Sequence, residues 1–466
     1  MRFMVLSLVV VLALLAVHQG ATAKVFDPKS YTLSNGLELV VVPNRRAPVV
    51  HQMLWYRVGS VDEAPGQSGL AHYLEHLMFK GTKLMPPGGF SKAVAAAGGQ
   101  DNAFTSYEYT AYFATVPSSF LPRLMDMEAD RMANLTIDEV QAKPELDVVL
   151  AERRQRTDDN PDGRFNEKFS QKIYGKHPFG RPIIGWKQEV SQMNAALAKT
   201  FYDRWYAPNN ALLVVAGDVE PEAVRALAEE RFGKVPAKVL PVRPDNRKLF
   251  VPRRQPGRLV LRDPDVQQTS IERHFIAPSY HDAKGKDAYA LEVLEQILGG
   301  GTVGRLYQTL VAEFKVATET SVGYDALSRD LGSFSIGLAL PPAGNTAKAE
   351  AALDALLRQV TLEGVTQAEV DLAVKRLREQ AVFTRDHLMT AGYAFGQQWA
   401  SGRSVTDVEE WPERIGAVTR DDVNRVAKAL FSQRGHMTGV LLPDKKHKNK
   451  SGAAVRAVTL PAGDIR

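Results

Sequence analysis

The chain has 466 residues, 44% hydrophobic and 24% charged, which is ordinary composition for a soluble globular protein but longer than one hydrophobic core usually supports, so two or more domains are expected. A formal net charge of +5 is mild for this length and gives no case for nucleic-acid binding. The absence of cysteine excludes disulfides, thiol nucleophiles, thiolate metal ligands and a cysteine-linked lipid anchor, so any metal must be held by nitrogen and oxygen.

The first residues stand apart from this average. Arg2 precedes an apolar run from Phe3 to Val17, and Ala21-Thr22-Ala23 stands before Lys24, a pattern that reads as a cleavable secretory signal over residues 1–23. The run is too short to span a bilayer comfortably, and no later segment approaches about 18 uninterrupted apolar positions. The expectation is a periplasmic or secreted protein without stable membrane insertion, retention of the signal as an anchor being the lesser alternative.

Residues 24–235 read as a first domain. From Tyr31 to Val58 the pattern is one of short strands, with Asn35-Gly36 turning into a strand that places Leu37, Leu39 and Val41 on one face. Gly69 to Phe79 predicts a helix, Phe90 to Ala97 another, and Thr105 to Val116 a strand rich in Tyr and Thr. Helical patterns follow from Leu121 to Leu135 and from Pro144, a favoured first-turn residue, to Arg156. A stretch from Val235 to Asn246 with three prolines forbids a helix and predicts an exposed connector, the linker being placed at residues 236–249.

After it, over residues 250–455, the order repeats: strands from Gly257 to Ala277, a helix from Asp287 to Leu298, a glycine run at Gly299-Gly300-Gly301, and long helices. Leu74 to Met78 has a counterpart in Leu294 to Leu298, and Glu145 to Glu152 in Glu369 to Arg376. On that alignment His72, His76 and Glu152 face Glu292, Gln296 and Arg376, so the second copy cannot hold the same metal. Residues 456–466 read as a tail, and Lys445 to Lys450 as a solvated basic stretch.

The chemistry concentrates in the first helix. In His72-Tyr73-Leu74-Glu75-His76 the imidazoles are four residues apart, share one helical face and can grip one ion, and the carboxylate precedes the second histidine, the H-x-x-E-H order of the inverted zincins. A hydrolytic zinc needs a third protein ligand and an open position. Glu145 and Glu152, two helical turns apart, fall on one face of a later helix and could both point at the motif.

On these residues the chain resembles the pitrilysin-type zinc metallopeptidases, closest to the processing-peptidase-beta-like bacterial zinc proteases, over nearly its whole mature length. The resemblance implies an α+β fold of two homologous α/β roll domains, each a mixed, largely antiparallel sheet packed by helices, joined by a linker. It implies one Zn2+ per chain held by His72, His76 and Glu152, with Glu75 as general base for a zinc-activated water and Glu145 orienting a ligand histidine. Gly98 to Thr105 resembles the family segment that precedes an edge strand beside the metal, so Asn102, Ala103 and Phe104 are expected to meet a peptide substrate as an added strand. His51, in a strand, His177, in a turn-rich loop, and His387, in an amphipathic helix, read as structural.

One departure matters. Self-sufficient relatives carry an Arg and a Tyr seven residues apart in the second half, where this chain has Val311 and Thr318, neither able to support an oxyanion as Arg or Tyr can. The expectation is therefore the metal-bearing chain of a heterodimer, acting on peptides or unfolded segments, with a homologous partner supplying the pair. The competing readings are that Arg305, Tyr307 or Tyr324 takes over, that the protein is a non-catalytic assembly or core subunit, or that it stores metal.

Overall fold

The computed structural model describes residues 25–444, except Asp386 and the side chain of Thr384. The signal expected at 1–23 and the basic stretch and tail after residue 444 lie outside the described residues. Two sheets packed by helices form an α+β molecule, as the sequence predicts.

The first sheet has the order β1-β2-β6-β3-β5-β4, from Lys29–Thr32 (β1), Glu38–Pro43 (β2), Val49–Tyr56 (β3), Gln100–Thr105 (β4), Thr110–Pro117 (β5) and Ala211–Gly217 (β6). The second has the order β7-β11-β8-β10-β9, from Gly257–Asp263 (β7), Ser270–Ala277 (β8), Glu319–Asp325 (β9), Gly332–Ala339 (β10) and Met437–Pro443 (β11). Without β1 the two orders superpose, and the parallel pair β2–β6 is matched by β7–β11 while the remaining pairs are antiparallel. The internal repeat is thus a repeat of topology.

The longer helices are α1 (Leu70–Leu77), α2 (Gly89–Ala96), α3 (Leu121–Asn134), α4 (Glu139–Arg153), α5 (Pro161–Tyr174), α6 (Ala195–Trp205) and α7 (Pro221–Phe232) in the first half, then α8 (Asp287–Gly299), α9 (Thr346–Leu362), α10 (Gln367–Thr384), α11 (Leu388–Ala400) and α12 (Arg420–Phe431). Residues 236–245 between the halves carry no regular secondary structure.

Three local expectations change. The helix expected to open at Pro144 begins at Glu139, because the Asp138 carboxylate accepts the Gln141 amide at 3.0 Å and sets the cap earlier; Pro144 sits inside it, on the exposed side. The strand expected over Thr105–Val116 is split by a turn into the end of β4 and the start of β5. His387 is exposed and precedes α11 instead of lying within a helix.

β2 was expected to bury one face, and Leu37, Leu39 and Val41 are indeed fully buried; Val40 and Val42 are buried as well. Their cover comes from the other half. α11 lays Ala391, Phe395, Trp399 and Ala400 against Val40, Met53, Trp55 and Val214 on the outer face of the first sheet. Reciprocally, α5 lays Phe165, Phe169 and Ile173 against Met437 and Leu441 of β11. Each such aromatic side chain removed from water contributes about 1.5–3 kcal/mol, so the exchange of helices joins the halves far more strongly than the connector does.

Candidate metal centre and active site

α1 starts without a side-chain cap, at Gly69, whose φ of 92° suits glycine. Its free amides are met by a remote carboxylate: Glu63, itself buried, accepts the Gly69 and Ala71 N–H groups at 3.1 and 2.9 Å. The helix therefore begins where its apolar face, Leu70, Tyr73, Leu74 and Leu77, enters the core. The Tyr73 hydroxyl donates to the Ala142 carbonyl at 2.5 Å and locks α1 against α4.

This places the two histidines opposite Glu152. His72 Nε2 and His76 Nε2 lie 3.5 and 3.2 Å from Glu152 Oε2, and one ligand atom from each of the three residues falls within 4.8 Å of the others. Among the described residues no other such donor group occurs. Glu152 Oε2 is buried, faces the two imidazole nitrogens and makes no hydrogen bond of good geometry. Two imidazole nitrogens and a carboxylate oxygen are a donor set suited to zinc.

The surroundings orient these groups. His76 Nδ1 is 2.8 Å from Glu145 Oε1, which fixes the ring with Nε2 toward Glu152, and Lys80 pairs with the other Glu145 oxygen. Arg156 Nη2 holds Glu152 Oε1 at 2.9 Å, leaving Oε2 to the histidines. Glu75 stands beside the group, its Oε2 accepting the Thr105 hydroxyl at 2.5 Å.

Charges follow from this packing. Burial, reinforced by neighbouring His76, pushes the His72 imidazole down to about 4, so its ring is neutral at physiological pH. Burial also opposes charge on His76, but the Glu145 and Glu152 carboxylates outweigh it and hold that ring up to about 9. Glu75 is raised by burial against the opposing Thr105 bond. Glu145 and Glu152 are lowered despite their burial, by His76 and Lys80 and by His76, His72 and Arg156 respectively.

The cleft over this group measures about 470 Å³ and is lined by both histidines, the three glutamates, Arg156 and residues 102–105. Asn102, Ala103 and Phe104 do not precede the edge strand; they form it, since β4 is the last strand of its sheet. Side chains alternate along it. Thr105 reaches Glu75 and Ala103 packs on the core beneath α1, whereas the Phe104 ring turns away and stacks on Tyr393 of α11 at 5.4 Å. Thr105, Lys80 and Arg156 escape sequence reasoning, because each is a common surface type and is singled out only by what it touches.

Among the described residues, the second half offers no equivalent. Glu292, opposite His72 in the repeat, is locked by the Tyr280 hydroxyl and Trp411 Nε1, both at 2.8 Å, and Arg376 turns to the Gly300 carbonyl at 3.3 Å. Arg305 is engaged by Glu369, and the Tyr324 hydroxyl by the Pro278 carbonyl. Thr318 bonds the Ala339 carbonyl and Gln268. His51 is buried in β3 beside Thr115, and His177 is buried 3.5 Å from Asp330.

Residues 39–187 match the family model described as Insulinase (Peptidase family M16), and residues 192–377 match that described as Peptidase M16 inactive domain. The chain belongs to peptidase family M16. Among M16 relatives, an uncharacterized zinc protease of Mycobacterium tuberculosis is 32% identical over 422 residues, spanning 88% of this chain and 92% of its own. Zinc protease PqqE of Helicobacter pylori is 32% identical over 454 residues, 95% of this chain and 100% of its own. Among solved structures, a protease from Helicobacter pylori superposes with a TM-score of 0.83 at 28% identity, over 90% of this chain and 100% of that one. The periplasmic protease PqqL of Escherichia coli, at 19% identity and a TM-score of 0.76, shares the fold over 94% of this chain, which spans 52% of that longer polypeptide.

Proposed function

We propose that this M16 chain is a zinc-dependent endopeptidase subunit, hydrolysing peptides or unfolded protein segments, and that it is the metal-bearing chain of a heterodimer in the periplasm or outside the cell. The observation that carries the reading is the convergence of His72, His76 and Glu152 on one point, with Glu75 beside it and the free edge of β4 alongside. Zinc, when bound by these three residues, supplies Lewis acidity that polarises a carbonyl and acidifies water. The protein's own residues do the rest. A peptide pairs with β4 through main-chain hydrogen bonds, which accept many sequences. Glu75 takes the proton of the attacking water and returns it to the leaving nitrogen. Glu145 and Arg156 keep His76 and Glu152 in place.

Support for a divided site is that every described residue lining the cleft comes from the first half. Val311 and Thr318 stand where an oxyanion-supporting Arg and Tyr would be required, and Arg305 and Tyr324 are bound elsewhere. The secretory pattern at 1–23 supports export. The test is cleavage of a quenched fluorescent peptide library by the mature chain, alone and with a candidate homologous partner, with Glu75→Gln as control. Activity that needs the partner, and falls by about 10²–10⁴-fold in the variant with zinc retained, is expected. Full activity from a verified lone monomer would refute the heterodimer; no cleavage with or without the partner, despite bound zinc, would refute the peptidase reading.

A further inference from the structure

We propose that Glu108 is a positioning residue for the substrate-binding edge, acting by anchoring the tip of the β4–β5 hairpin to the second half of the molecule. The proposal rests on the reading of β4 as the strand that a peptide joins. Glu108 lies in the turn Ser106–Tyr109, which the Ser106 amide closes onto the Tyr109 carbonyl at 2.8 Å. It is 6% exposed. Its carboxylate accepts the Arg329 amide at 2.8 Å and the Asp330 amide at 3.0 Å. Those amides belong to the turn between β9 and β10, the hairpin that corresponds to β4–β5 in the repeat. The two related hairpins therefore meet tip to tip, joined through one buried carboxyl that accepts from both backbone amides.

The same tip is gripped from two further directions. Arg243, in the connector, donates to the Glu108 carbonyl at 2.9 Å and holds Asp62 through two bonds of 2.8 and 2.6 Å. Next to Asp62, the amides of Ser60 and Val61 donate to the Ser106 and Tyr107 carbonyls at 3.1 and 2.9 Å. Three residues before Glu108, Thr105 holds Glu75. An edge strand with no neighbour on its outer side is otherwise free to fray, and ordering it at each binding event would weaken binding. A fixed tip removes that penalty and keeps Thr105 on Glu75.

A residue that merely glued the halves together would show none of this at β4. The test compares wild type, Glu108→Gln and Glu108→Ala in the full mature chain, assayed with its partner for peptide cleavage, with zinc content and amide hydrogen exchange measured on each. Expected for Glu108→Ala are faster exchange at Arg329 and Asp330 and also through Gln100–Thr105, a KM raised about tenfold or more, a smaller change in kcat and unchanged zinc. Glu108→Gln, which keeps one acceptor oxygen, falls between, and it decides the matter if the alanine variant does not fold. Faster exchange confined to residues 329–330, with β4 exchange and KM unchanged, would overturn the proposal. Absence of peptide cleavage by wild type would count against the peptidase reading, while the exchange data would still decide whether the tip orders β4.

Discussion

At the level of single residues, the metal group was legible because its chemistry is confined to a few residue types at fixed helical spacing. His72, Glu75 and His76 declare themselves in five positions, the need for a third donor points to the helix of Glu145 and Glu152, and the family resemblance singles out Glu152. Of the groups that hold them, Glu145 was implied by the family resemblance, whereas Lys80, Thr105 and Arg156 could not be read, since they depend on which contacts the fold completes. Glu145 fixes one His76 nitrogen at 2.8 Å, so Glu145→Gln should lower zinc affinity about 10–100-fold in a chelator competition while leaving the fold intact. Glu63, by contrast, was silent in the sequence. Burial pushes its carboxyl up to about 8 despite the backbone amides it accepts. Unfolded, it would lose its proton near the ordinary value of about 4.3. Between these pH values the native state binds more protons than the unfolded one, so this group's contribution to stability falls as pH rises from about 4.3 to about 8. Urea unfolding at pH 5 and pH 8 should show a smaller difference in Glu63→Gln than in wild type.

At the level of elements, the helices and strands that periodicity placed are present with errors at boundaries that side chains decide, while α5, α6, α7 and β6 were not foreseen. Asp138 overrode Pro144 as the start of α4, and the turn at Ser106–Tyr109 was masked by a run of residues equally suited to strand. The apolar run Leu39 to Val42 offers both faces of β2 for burial, but sequence pattern did not show what covers the second, because the covering helix lies more than three hundred residues away. That contact is close: a Cβ on Gly396 of α11 would stand 1.9 Å from Trp55. Glycine in a helix ordinarily lowers stability by about 1 kcal/mol relative to alanine, yet here Gly396→Ala should destabilise by about 1–3 kcal/mol through overpacking, measurable as a lowered Tm. Gly439 of β11 plays the same part beneath Phe165 and Phe169 of α5.

For the molecule as a whole, length and the repeat foretold two related halves, one with the His72, His76 and Glu152 cluster and one without it. The halves are bound to each other by more than the peptide chain. α5 reaches from the first half onto the second sheet and α11 returns from the second half onto the first, so each half completes the other. Covalent continuity through residues 236–245 is then redundant once the molecule has formed. A protease cut in that connector should leave one particle of unchanged mass in gel filtration. The two segments produced as separate polypeptides should find each other and rebuild the His72, His76 and Glu152 cluster, each acting as the missing template for its counterpart.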